Sequence, residues 1–72
     1  MRKNLVEMRK KANLTQAEIA KMLGITNRHY QVLEAGNSDG SVKVWQALKE
    51  LLGAKSIDYL LEQTDDEDNF SN

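Results

Sequence analysis

Asn27, Arg28, His29 and Gln31 stand close together between Gly24 and Gly36, with Val32 directly after them. An Arg fork matches the O6 and N7 acceptors of guanine, and an Asn or Gln amide matches the N6 and N7 edge of adenine. An exposed valine can touch a thymine methyl group, and His29 suits a phosphate or a flanking base. With no partner, the same side chains would simply be a solvated helix face. Their neighbours Tyr30 and Leu33 are apolar at helical spacing, so the polar set falls on faces that packing does not claim.

Other chemistries lack their groups. There is no cysteine, which removes disulfides, thiolate metal sites and a thiol nucleophile. A single histidine cannot build a His-based zinc site, and no carboxylate or nucleophile sits at short range to make it a catalytic base. No glycine-rich phosphate loop and no Ser/His/Asp spacing is present. An enzyme, a metal, a cofactor and a small-molecule ligand are therefore not expected.

The elements that position the polar set can be read outward from it. Thr15 caps a helix, and Glu18 three residues on completes a capping box, T-x-x-E. Ile19, Ala20 and Leu23 then share one face. Gly24 marks a sharp turn where a left-handed φ is needed. Ile25 plugs that turn, and Thr26 caps the helix that carries Asn27 to Ala35. Gln16, in the first turn of its helix, has free backbone N–H groups beside it, which favours a phosphate contact. Thr15 and Lys10 are further candidates for the DNA backbone, Thr15 being first of all a cap.

Three more helices complete the reading. One covers about Lys3 to Ala12, with Leu5, Met8 and Ala12 on one face. Asn37-Ser38-Asp39-Gly40 is a turn cluster. Ser41 caps a helix from about Val42 to Leu52, whose inward stripe is Val42, Trp45, Leu48 and Leu52, or alternatively Val44, Leu48 and Leu51. The first stripe is preferred because it buries the only Trp. Ser41 to Trp45 alternates like a strand, but QALKELL continues it with strong helix formers, so helix wins. Gly53 ends that helix, and a short one follows over about Ser56 to Glu62, with Ile57, Leu60 and Leu61 inward.

Seventy-two residues allow one domain, and 40% hydrophobic content suits a small core. Net charge is −1, but the average hides a division. Residues 1–55 carry all ten Lys and Arg against five acids, whereas residues 56–72 carry six acids and no base. This is a basic body with an acidic end. Residues 64–72, TDDEDNFSN, are expected to be a disordered acidic tail, either solubilising or shielding the basic face when DNA is absent. No apolar run approaches the roughly 18 residues of a membrane span, and the basic N-terminus has no apolar signal region, so the chain is expected to be cytoplasmic.

Taken together, Leu5-x-x-Met8-Arg9, Leu14-Thr15-Gln16-x-x-Ile19-Ala20, Leu23-Gly24-Ile25-Thr26, Tyr30-x-x-Leu33-Glu34-x-Gly36 and Ile57-Asp58-x-Leu60-Leu61 resemble the Cro/repressor-type helix-turn-helix family. These are the XRE-like regulators that include the small lambdoid phage repressors. The resemblance runs from Leu5 to Leu61. It implies an all-α, five-helix bundle over residues 1–63, with its third helix in the major groove and its second crossing the backbone above. It implies base contacts by Asn27, Arg28, Gln31 and Val32. Backbone contacts are implied for Gln16, which also braces Asn27 in such proteins, and for His29. An Arg9–Glu34 ion pair would tie the first helix to the end of the third. The chain departs from the family in having Ala35 before Gly36, in the loop after the third helix, which in the family faces the DNA backbone but here lacks basic residues and carries Asp39, which that backbone would repel, and in one extra residue between Gly53 and Ile57.

The expectation is a sequence-specific double-stranded DNA-binding transcriptional regulator, a repressor of the kind carried by phages and mobile elements. It would form a weak homodimer through helices four and five, because Tyr59 and Leu61 follow the inward Ile57 and cannot all face one small core. The alternative is an antitoxin or anti-repressor that uses the same bundle to bind a protein.

Overall fold

The structure is a computed structural model that describes residues 1–63. It holds α1 (Lys3–Lys11), α2 (Gln16–Leu23), α3 (Asn27–Ala35), α4 (Val42–Leu52) and α5 (Ile57–Leu61), with no strand among the described residues. The expected acidic tail, 64–72, lies outside them. Every helix is shorter than the roughly 12–15 residues at which an isolated helix becomes even marginal in water, so each depends on the others. All five contribute to one core. Leu5 of α1, Ile19 of α2, Tyr30 and Leu33 of α3, Leu48 of α4 and Leu60 of α5 are fully buried. Burial of each apolar side chain of this size stabilises by about 1.5–3 kcal/mol relative to exposure.

Local chemistry sets where each helix starts and stops. The Thr15 hydroxyl accepts from the Glu18 N–H at 3.1 Å while the Glu18 carboxylate accepts from the Thr15 N–H at 2.8 Å, a complete capping box. Thr26, Ser41 and Ser56 cap α3, α4 and α5 by accepting from His29, Val44 and Tyr59. Gly24 ends α2 at φ 75°, and the next N–H, of Ile25, reaches back to the Ala20 carbonyl at 3.0 Å. That closure turns the chain within two residues and sends α3 off at an angle to α2. Ile25 packs against the core from the turn.

Helix α1 stops one residue earlier than expected. Ala12 is an exposed C-cap rather than part of the buried face, because Asn13 takes a left-handed φ of 60°. Asparagine is among the few side-chain-bearing residues that tolerate this conformation. The Leu14 N–H then bonds the Arg9 carbonyl at 3.2 Å.

Helix α4 corrects the preferred stripe. Trp45, Leu48 and Leu52 face inward, but Val42 is 70% exposed and Val44 packs against the core in its place. The Trp45 indole fixes the rotation by donating to the Asp39 carbonyl at 2.6 Å. At that rotation Val42 lies on the flank of exposed Gln46, one turn on. Helix α5 also differs from expectation. Tyr59 and Leu61 are both half-buried against the core alongside Ile57. The short helix lies between α1 and α4, so more than one of its faces finds apolar neighbours. The Asn4 amide fastens α1 to it, donating to the Tyr59 carbonyl at 3.0 Å and to Glu62 at 3.1 Å.

Candidate nucleic-acid interface

Tyr30, Leu33 and Glu34 are the buried residues of α3. The remaining arc carries Asn27, Arg28, His29, Gln31 and Ala35 in solvent, with Val32 half-buried at its edge. Asn27 and Gln31 are one turn apart, as are Arg28 and Val32, so two short rows run along the same exposed side. Ala35 continues the Gln31 row with a small side chain, which leaves the C-terminal end of this face low. Each polar head is free to meet an incoming surface.

Two further groups of candidates lie at the starts of helices or beside them. Thr15 is exposed at the N-cap of α2, and its hydroxyl oxygen is used by Glu18, leaving the O–H to donate outward. Gln16 and Ala17 follow with first-turn N–H groups that have no partner within the helix. Lys10 is exposed near the end of α1.

Beneath this surface sits one carboxylate. Glu34 is 3% exposed and accepts three hydrogen bonds. Arg9 Nε donates to Oε2 at 2.6 Å, the Tyr30 hydroxyl donates to the same oxygen at 2.7 Å, and Gln16 Nε2 donates to Oε1 at 2.9 Å. A buried charge is tolerable only when paired and hydrogen-bonded in this way. Arg9 is fixed in turn by donating from Nη1 to the Leu14 carbonyl at 2.8 Å. The hydrogen bond to Glu34 holds the Arg9 guanidinium above its ordinary value, against the opposing effect of burial. Burial, reinforced by the bond to Glu34, pushes the Tyr30 phenol far above its ordinary value. Helices α1, α2 and α3 are thus joined at a single carboxylate. Gln16 turns its amide to Glu34 and not to Asn27, since a carboxylate is the stronger acceptor.

Sequence reasoning missed Arg2. It is 3% exposed, and its guanidinium donates to the carbonyls of Leu33 at 2.7 Å, Ser38 at 2.8 Å and Leu61 at 3.2 Å. It also lies over the Trp45 ring, 5.1 Å from the centroid. An arginine next to the first residue carries no periodic signal, so nothing in the pattern separates it from a solvated terminus. The loop it holds is tightly built. Gly40 has φ 67°, and a Cβ there would come within 2.8 Å of both Leu33 Cδ2 and Trp45 Nε1.

Among the described residues no group of His, Cys, Asp and Glu is arranged to hold a metal ion, and no helix is long and apolar enough to cross a membrane. The family model described as helix-turn-helix matches residues 5–60. Comparison with curated proteins and with solved structures finds no significant match.

Proposed function

The chain belongs to the Cro/C1-type helix-turn-helix family of DNA-binding regulators, and from that premise we propose that it represses transcription by reading a double-stranded operator with α3 in the major groove. The single observation that carries this reading is the exposed face of α3, where Asn27, Arg28 and Gln31 stand together with no packing role. Arg28 pairs with a guanine, Asn27 and Gln31 with adenines, and Val32 with a thymine methyl group. Thr15, Gln16, His29 and Lys10 hold phosphates on either side, and the α3–α4 loop, residues 37–40, lies along the DNA backbone. The bonds from Arg9 and Gln16 to Glu34 fix α3 against α1 and α2, so these contacts arrive as one rigid unit. Two copies bind two half-sites about one helical turn apart.

Selection of bound sequences from a random duplex pool, followed by gel shifts over a salt series, tests the proposal. The expected result is one enriched two-fold motif whose affinity falls steeply with salt. Enrichment of no sequence, together with capture of a protein partner by the same surface, would overturn it in favour of a protein-binding role.

A further inference from the structure

We propose that Arg2 is a positioning residue for DNA binding, which acts by turning the α3–α4 loop so that the Asp39 backbone N–H faces a phosphate. The proposal rests on the reading that this loop lies along the DNA backbone. Arg2 precedes α1, and its own N–H bonds the Glu34 carbonyl at 2.9 Å while its guanidinium takes the Leu33 carbonyl. Both acceptors belong to the last turn of α3, where unsatisfied carbonyls and the negative end of the helix dipole favour a cation. Among the described residues Arg2 meets no carboxylate, so its charge is held by carbonyl oxygens and the face of Trp45.

The consequence for the loop follows from peptide geometry. The Ser38 carbonyl accepts from Arg2 Nη1 at 2.8 Å, and the next carbonyl, of Asp39, accepts from Trp45 Nε1 at 2.6 Å. Two consecutive carbonyls are therefore drawn inward by buried donors. No peptide is cis, and in a planar trans peptide the N–H points opposite to the C=O. The N–H of Asp39 is thus aimed away from Arg2, with no acceptor among the described residues. The following N–H, of Gly40, makes only a 3.3 Å contact with the Ser38 hydroxyl. A loop with no basic residue, whose exposed Asp39 carboxylate repels phosphate, gains in this way an outward donor that offsets the repulsion. Arg2 itself is too deeply buried to touch DNA.

The test uses the full chain with Arg2→Met, Arg2→Lys and Trp45→Phe, the last removing the indole donor together with part of the ring that lies under Arg2. Asn4→Ala serves as a variant weakened at the α1–α5 junction, away from the loop. Operator affinity is measured over a salt series at a temperature where circular dichroism shows each variant folded. Arg2→Met and Trp45→Phe are expected to lose about tenfold in affinity, as for one hydrogen bond to a charged group. The salt slope should stay unchanged, because an N–H contact displaces no counterion in the way a cation does. A methylphosphonate at one operator position should weaken wild type but not Arg2→Met. Asn4→Ala should leave affinity intact.

Unchanged affinity of folded Arg2→Met would overturn the proposal and leave Arg2 with a purely structural role. A salt slope shallower by about 0.9, restored by Arg2→Lys, would overturn it in favour of direct charge contact. If wild type selects no duplex, the DNA reading itself falls, and the positioning role with it.

Discussion

Gln16 Nε2 donates to Glu34 Oε1 at 2.9 Å, which joins the first residue of α2 to the last turn of α3. One hydrogen of that amide is committed inward, and the other remains for a phosphate together with the residue's backbone N–H. Gln16→Ala should therefore have two effects. Operator and non-operator duplexes should weaken by nearly the same factor, with no base position relaxed, because phosphate contacts carry no sequence information. Stability should fall by about 1–2 kcal/mol for the lost bond to a carboxylate. Duplex titrations and a denaturant curve on the same variant check both.

Glu34 is the acceptor for three side chains, whereas Glu50 is exposed on α4. Removing one partner of a buried pair strands the other charge, at a cost of about 3–5 kcal/mol. Here Arg9 keeps its bond to the Leu14 carbonyl, so the lower end of that range is expected for Glu34→Ala. Glu50→Ala should shift stability by no more than about 0.5 kcal/mol. The two urea midpoints decide it, and equal values would contradict the assigned role of the carboxylate.

Arg28 is exposed on α3, on the side away from Tyr30 and Leu33. Its replacement by Ala removes nothing from the core, so the melting temperature should hold. Loss of a bidentate guanine contact should cost about 1–3 kcal/mol of operator affinity and relax one base position. Repeating the pool selection with the variant locates that position. Retention of wild-type binding by Arg28→Ala and Gln16→Ala at 150 mM salt would mean that the reading face lies elsewhere.

The helices were legible because their boundaries are written in local chemistry. Thr15 with Glu18, Thr26, Ser41 and Ser56 are caps whatever the rest of the chain does, and the ranges of α2, α3 and α4 follow from them. Ala12 and Val42 were misread because helical spacing predicts a face but not how far the core extends along it. Both lie at a helix end, where the stripe outruns its neighbours. The candidate reading face was visible as polar residues left over by packing. The resemblance pointed to Arg9 and Glu34, and Tyr30 stands one helical turn before Glu34 in α3, but Gln16 as a further donor to the same carboxylate could only come from the way α2 and α3 meet. Arg2 was invisible for a related reason. Its partners are backbone carbonyls, which every residue has, so no pairing of side-chain types betrays it.

Tyr30 links stability to alkaline pH. Its phenol is buried and donates to Glu34, and both effects favour the neutral form, raising its value in the folded protein above the ordinary value near 10. Above pH 10 the unfolded chain therefore releases this proton while the folded one keeps it. The contribution is fully present below about pH 10 and is lost as pH rises from there toward the folded value. Tyr30→Phe removes the titrating group and one donor to Glu34. It should be less stable than wild type at pH 7 by about 1–3 kcal/mol. Its stability should also decline less between pH 9 and 11, so the two curves approach each other. Parallel curves over that range would show that Tyr30 is not the group responsible.

Assembly on DNA is expected to use the end of α4 and α5. Leu51 is 38% exposed there, Ala47 lies one turn before it in solvent, Tyr59 and Leu61 are half-buried, and the Lys55 ammonium sits 4.8 Å from the Tyr59 ring centroid. This surface is apolar but modest, and stable dimers bury about 800 Å² on each partner. The free protein should therefore sediment as a monomer at micromolar concentration. Two half-sites about 10 base pairs apart supply what the surface lacks, by holding two copies at high local concentration. The six acids of residues 56–72 fit the arrangement, since an end lacking bases is best placed away from phosphates. Sedimentation velocity with a palindromic duplex should show two chains per duplex, binding cooperatively, and Leu51→Glu should abolish the cooperativity while leaving single half-site binding intact. A one-to-one complex that persists when the second half-site is supplied at one-turn spacing would rule this assembly out.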